Sequence, residues 1–164
     1  MTECAITIRP AAVADIPRIL SFIRELAAYE RLADEVVADE ARLRETLFGD
    51  RPAAEVELAF HDGEPAGFAL FFHNYSTFLG RPGLYLEDLF VRPEFRGRGV
   101  GRALLGRLAG LARARGCGRL EWSVLDWNEP AIGFYRRLGA RAMDDWTVWR
   151  LDGEALRNLG EEAP

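Results

Sequence analysis

The sequence predicts a mixed α/β fold, a central sheet with helices on both faces. Three observations carry this. Strand-like and helix-like hydrophobic periods alternate along the 164 residues. Asp62-Gly63 separates two apolar alternating runs, the signature of a tight antiparallel hairpin. Later runs read strand, helix, strand, helix, strand, the pattern of βαβ crossovers. A hairpin followed by crossovers requires a sheet with both strand directions.

The elements follow in order. "AITIRPA" alternates and is predicted as a first strand closed by Pro10. Asp15 is placed to cap a helix through "IPRILSFIRELAAYE", with Ile16, Ile19, Leu20, Ile23 and Leu26 on one face. Pro17 falls in its first turn, where a missing N–H does little harm. A second helix over 39–48 ends near Gly49. "AEVELAFHDGEPAGFALFFHNY" gives the hairpin strands, and "PGLYLEDLFV" a fourth strand stopped by Arg92-Pro93. "GVGRALLGRLAGLARARG" is a helix with Val100, Leu104, Leu105, Leu108 and Leu111 apolar, ended by Gly116. "RLEWSVL" is a fifth strand. "NEPAIGFYRRLGA" is a short helix capped near Asn128 and closed by Gly139. "TVWRLD" reads as a last strand before a short tail. The predicted order is β-α-α-β-β-β-α-β-α-β.

The length fits a single domain, 1–164. With 49% apolar and 29% charged residues, the composition is that of a soluble globular protein. No apolar run approaches the ~20 residues of a membrane span, and no signal-peptide pattern opens the chain, so no membrane partner is expected. Cys4 and Cys117 fit neither a metal spacing nor a disulfide framework, which points to a reducing, cytoplasmic setting. His61 and His73 likewise lack metal-ligand spacing, and no metal is expected.

Net charge is −5 but unevenly spread: residues 1–90 carry 16 acidic and 8 basic groups, residues 91–164 carry 10 and 13. Between Arg92 and Arg119 there are eight arginines and one acid, Glu94. The split suits one anionic and one cationic ligand, or else a solvated helix face.

The densest part of that run is Arg96–Arg102, where three arginines and three glycines open the long helix after a strand. Backbone N–H groups at a helix start lack intrahelical partners and sit at the positive end of the helix dipole. Glycines admit an anion close to them, and Arg96, Arg98 and Arg102 add full charges, which together describe a phosphate cradle. The alternative is an ordinary glycine turn with solvated arginines. Gly97, Gly99 and Gly101 are one residue too tight for the dinucleotide pattern G-x-G-x-x-G, and no lysine is present for a Walker loop. Just upstream, Glu87 and Asp88 interrupt an otherwise apolar strand. Carboxylates there are expensive unless paired or functional, and neighbours should point to opposite faces unless a bulge intervenes. A salt bridge to one of the arginines is the plainer reading.

R-x-x-G-x-G, Arg96 to Gly101, resembles the pyrophosphate-binding motif of the GNAT acetyltransferases. "IRPA" and "WNEPAIGFYRRLGA" extend the resemblance over nearly the whole chain. "AAYE", "LYLEDLFV" and "WNEPAIGFY" look like the diamine (spermidine/spermine) and thialysine acetyltransferase branch. The resemblance implies a mostly antiparallel sheet splayed between the fourth and fifth strands. It implies acetyl-CoA as co-substrate, held by the backbone of Leu89, Phe90 and Val91, by Arg96, Gly97, Arg98, Gly99, Val100, Gly101 and Arg102, and by Asn128, Pro130, Ala131 and Tyr135. It makes Glu87 the residue that takes the amine's proton, directly or through water, and Tyr135 the proton donor to the CoA sulfur. A phenol ordinarily ionises near ~10 and so can protonate a thiolate at neutral pH. Tyr135 on a short amphipathic helix reads equally as a core aromatic, and Asn128 as a helix cap.

On the acceptor side the resemblance implies Tyr29, Glu30, Glu87, Asp88, Glu121, Trp122 and Ser123 around a small amine; a solvated acidic loop is the alternative for Glu30 and "DEVVADE". Polyamine enzymes carry a glutamate shortly before the last strand, where this chain reads Trp146-Thr147 with Asp144 and Asp145 upstream. A shorter amine or an amino acid then stands beside a long polyamine as acceptor. Family habit implies a homodimer. Two other classes compete with an N-acetyltransferase: a CoA-binding sensor of the same fold, and a nucleic-acid binder using the arginine-rich helix. Net acidity and the lack of an aromatic-interleaved basic stripe disfavour the last.

Overall fold

A computed structural model describes residues 5–162; Cys4 lies outside them. The chain divides into two compact units, one ending at Ser123 and the other starting at Val124.

The first unit is a five-stranded sheet in the order β1-β2-β3-β4-β5. The strands are β1 (Ile6–Pro10), β2 (Glu55–His61), β3 (Glu64–Ser76), β4 (Arg81–Val91) and β5 (Leu120–Trp122). β1 to β4 run antiparallel to their neighbours, and β5 lies parallel to β4. β2 and β3 turn at Asp62-Gly63, both in the left-handed region that the tight turn demands. Three helices accompany the sheet, α1 (Ile16–Tyr29), α2 (Glu40–Phe48) and α3 (Val100–Ala114).

α1 and α2 cover one face. Ile16, Ile19, Phe22, Leu26, Leu43 and Leu47 pack on Val56, Leu58, Phe68 and Phe90 in one core. Phe22 is fully buried at the centre, stacked on Phe68 at 5.5 Å, while Ile23 is only partly buried at the edge. Asp15 precedes α1 but does not cap it through its side chain. Its carboxylate accepts instead from the Ala12 amide at 2.8 Å and from Arg9 and Arg18 at 2.6–2.9 Å. Those partners, Arg9 first, hold its pKa well below the usual carboxylate range. Asp39 does cap α2, accepting from the Arg42 amide at 2.8 Å. α3 buries Val100, Leu104, Leu105 and Leu108 of its predicted apolar stripe, leaves Leu111 half-buried, and packs against β1, β3 and β4.

One register shift decides which side chains reach which face. Phe71 pairs with Leu86, yet Leu70 pairs with Asp88, so Glu87 is the extra residue of a β-bulge. Without the bulge, positions 84, 86, 88 and 90 would share a face. With it, Leu86 follows Phe71, while Asp88 and Phe90 follow Leu70 and Phe68 to the face under α1.

The second unit holds α4 (Glu129–Arg137) and α5 (Gly153–Glu161). Asn128 caps α4 as predicted, its Oδ1 accepting from the Ala131 amide at 3.4 Å, and Pro130 sits in the first turn. The predicted last strand is corrected: residues 147–152 form no strand, and the predicted tail is α5. "TVWRLD" alternates, but a strand exists only when a neighbour pairs with it. β5 is also shorter than predicted, ending at Trp122.

Candidate active site

The β4–β5 ladder has three pairs and stops at Leu86↔Trp122. β4 continues to Val91, paired there only with β3 among the described strands. The two parallel strands therefore part after Leu86, and Leu89, Phe90 and Val91 lie beyond the end of their shared ladder. An extended amide chain can pair with such a strand edge.

Val91 leads through a short turn into α3. Gly97 and Gly99 adopt φ of 73° and 88°, conformations that cost an L side chain and explain why this turn uses glycine. Gly99 is the N-cap of α3 and no side chain caps it. A Cβ at Gly97 would meet no heavy atom within 4 Å, so space lies open there. Arg98 and Arg102 are exposed beside it. Uncapped amides, open space and two guanidinium groups fit a phosphate chain. Arg96 behaves differently from its predicted partners. Its Nε donates to the Val91 carbonyl at 2.9 Å, and its guanidinium lies 4.6 Å over the Tyr29 ring and 5.8 Å from that of Phe90. It joins the turn to the end of α1.

That end carries Tyr29 and Glu30. Burial raises the Glu30 pKa. Asp88, half-buried on the same face, is pushed up to about 6, first by burial and then by the negative charges of Glu87 and Glu30. Three carboxylates thus gather where β4 leaves β5, and the arginine ion pairs among the described residues are made with other acids. The salt bridge that the sequence allowed for Glu87 and Asp88 goes to other acids. Arg92 pairs with Glu25 at 2.8 Å, Arg107 with Glu57 at 3.0 Å, Arg115 with Glu55 at 2.6 Å and Arg119 with Glu121 at 2.7 Å. Four of the eight arginines between Arg92 and Arg119 are so occupied, which breaks up a cationic stripe.

Glu121 also accepts from Asn74 Nδ2 at 3.2 Å, so it is held by two partners. In the ladder it stands opposite Tyr85, whose hydroxyl hydrogen-bonds Ser123 Oγ at 2.9 Å; Trp122 stands opposite Leu86 and is half-buried. Sequence reasoning missed Tyr85 and Asn74. Tyr85 lies within the quoted "LYLED", but only the bulge reveals that it and Asp88 belong to one face.

In the second unit Tyr135 lies on α4, half-buried, with the Phe134 ring at 5.4 Å. The Ala131 amide is engaged by Asn128, so the cap that the sequence suggested is present. Among the described residues no group of three His, Cys, Asp or Glu side chains is placed to hold a metal, and no helix is long and apolar enough to cross a membrane.

Residues 20–140 match the family model described as acetyltransferase (GNAT) family. A thialysine N-epsilon-acetyltransferase from Bos taurus is 40% identical over 94% of this chain and 96% of its own. The L-ornithine N5-acetyltransferase NATA1 of Arabidopsis thaliana is 34% identical over 93% and 86%. Among solved structures, an integron cassette protein from the mobile metagenome of V. cholerae superposes with a TM-score of 0.81 at 25% identity, over 96% and 98% of the two chains. The chain belongs to the GNAT acetyltransferase family, within its diamine and thialysine branch.

Proposed function

We propose that this acetyltransferase transfers an acetyl group from acetyl-CoA to a primary amine of a small cationic acceptor of the diamine or lysine-analogue type, its two units working as one domain over 1–164. The observation that carries the reading is the gathering of Glu30, Glu87 and Asp88 beside the parted strands. Uncompensated carboxylates are costly in the empty protein and are relieved by a cationic ligand. The names of the relatives, acting on thialysine and ornithine, agree with an acceptor of this charge.

The open glycine-arginine turn fits the phosphates of acetyl-CoA through the amides that follow Gly99 and through Arg98 and Arg102. Bound acetyl-CoA supplies the thioester, a C–N bond forming at its acetyl carbon as the C–S bond breaks. The chain's own residues handle charge and protons. Glu30 and Asp88 hold the acceptor's ammonium groups, with the Tyr29 ring, fixed by Arg96, as an apolar wall. Glu87, at the bulge and exposed, takes the proton that the attacking amine must lose. The Tyr135 hydroxyl gives its proton to the departing sulfur. A second reading gives the base role to Asp88, because its pKa of about 6 lies nearer the operating pH than an ordinary carboxylate.

A free-thiol assay with acetyl-CoA and a panel of acceptors tests the reading: thialysine, ornithine, 1,3-diaminopropane, spermidine, an aminoglycoside and neutral amides. Thiol release with the small diamines and lysine analogues is expected. Release with none of the amines, despite acetyl-CoA binding, would leave a CoA-binding sensor instead.

A further inference from the structure

The face of the sheet that carries Asp88 holds one more polar group, to which the reaction as proposed gives no task. In β3, Phe68, Leu70, Phe72 and Asn74 follow at intervals of two and share that face. Their partners in β4 are Phe90, Asp88, Tyr85 and Gly83. Tyr85 is therefore the next side chain after Asp88 on the side that α1 covers, because the bulge takes up one residue between them. Glu121, opposite Tyr85 in β5, faces the same way and is held by Asn74 Nδ2 at 3.2 Å and Arg119 at 2.7 Å. Ser123 follows Glu121 at an interval of two, and its Oγ lies 2.9 Å from the Tyr85 hydroxyl.

The level of that contact along the strands brings it to the reaction. The last pair of the β4–β5 ladder is Leu86↔Trp122, so Ser123, the next residue of a parallel strand, comes level with Glu87. The Tyr85 side chain thus leans forward along β4, and its hydroxyl reaches the bulge where the strands part. Its ring is half-buried against Phe72, with 5.2 Å between the centroids, and Ser123 is exposed. Ring packing and the Ser123 bond together fix where the hydroxyl sits. Two hydroxyls carry two protons, and the bond between them uses one, so the pair keeps lone pairs for a third group. An ammonium group has three N–H donors, more than one carboxylate oxygen satisfies. Asp88 supplies its negative charge, and a hydroxyl oxygen on the β5 side of the same face accepts a further N–H.

We propose that Tyr85 is a specificity-determining residue of the acceptor site: its hydroxyl, aligned by Ser123, accepts a hydrogen bond from the ammonium group that Asp88 holds. The inference rests on the acceptor reading above and adds to it a neutral contact that favours diamines over monoamines.

The test measures kcat and KM for 1,3-diaminopropane and propylamine in the wild type, Tyr85→Phe, Ser123→Ala and Asp88→Asn, with Tm alongside. Tyr85→Phe keeps the ring against Phe72 and loses only the hydroxyl. It should raise KM for the diamine by ~10-fold or more, the usual size for a hydrogen bond to a charged group, with a smaller change in kcat. The preference for the diamine over propylamine should fall accordingly. Ser123→Ala leaves the hydroxyl present but unaligned; it should lower the same preference by less, and it carries the test if Tyr85→Phe does not fold. A bond that merely straps β5 to β4 would change Tm and act on both amines alike. A preference unchanged in Tyr85→Phe but reduced in Asp88→Asn would overturn this inference and leave the acceptor reading standing. Equal kcat/KM for the two amines in the wild type would overturn both.

Discussion

Replacing Asp88 by asparagine should make the protein more stable and a worse enzyme. The folded state raises the Asp88 pKa from 3.8 to about 6, through burial and the charges of Glu87 and Glu30. A carboxyl whose folded pKa is raised binds its proton more tightly in the native state. Its ionisation therefore costs stability as pH rises from about 4 to about 6, and the full cost remains above that. Two pKa units correspond to about 3 kcal/mol. Asparagine keeps the shape and never ionises. At pH 7.5 Asp88→Asn should gain about 2–3 kcal/mol, or a Tm rise of roughly 5–10 °C for a chain of this size. The gain should shrink as pH falls through 6 and vanish near 4, where both side chains are neutral. Denaturant melts of both proteins between pH 4 and 8 measure this. In parallel, the acceptor KM should rise, because a charge that contacts the ammonium is gone. A stability difference that is absent at pH 7.5, or constant across the range, would refute the crowded-carboxylate account of the site.

Gly99→Val should weaken acetyl-CoA by at least ~10-fold in calorimetric titration, and should also cost ~1–2 kcal/mol of stability, since valine must take a φ of 88°. Arg98→Ala, which carries no such backbone cost, should weaken the same titration with an unchanged Tm. Tyr135→Phe should lower kcat by ~10²–10⁴ while acetyl-CoA affinity changes little; near-wild-type turnover would leave thiolate protonation to solvent. Glu87→Gln should move the pH–rate profile upward, toward pH values where more of the amine is already deprotonated. If Asp88→Asn moves the profile and Glu87→Gln does not, the base is Asp88.

Much of this arrangement is readable in the sequence, because local signals and tertiary demands agree there. The Asp62-Gly63 turn, the apolar stripe of α3 and the Asn128 cap each rest on neighbours in the chain. The paired acids of "LED" are conspicuous because carboxylates are rare in an apolar strand. What escapes is set by partners distant in sequence. The bulge at Glu87 exists only in register with β3, and it alone brings Asp88 under α1 beside Glu30. Arg96 looks like Arg98 on paper, yet it folds back onto Val91 and Tyr29. Glu57 reads as a polar position of an alternating strand, and α3 makes it a buried one. "TVWRLD" has the alternation of a strand, but a partner's unpaired edge, which alternation does not encode, decides whether it becomes one.

The central claim is that a cluster of carboxylates selects a small cationic acceptor for acetyl transfer. The most direct measurement compares kcat/KM for 1,3-diaminopropane and propylamine, which differ by one ammonium group. The wild type should prefer the diamine by at least ~10-fold, and Asp88→Asn should reduce that preference several-fold, in keeping with loss of a charged contact. Equal kcat/KM for the two amines in the wild type would contradict the claim.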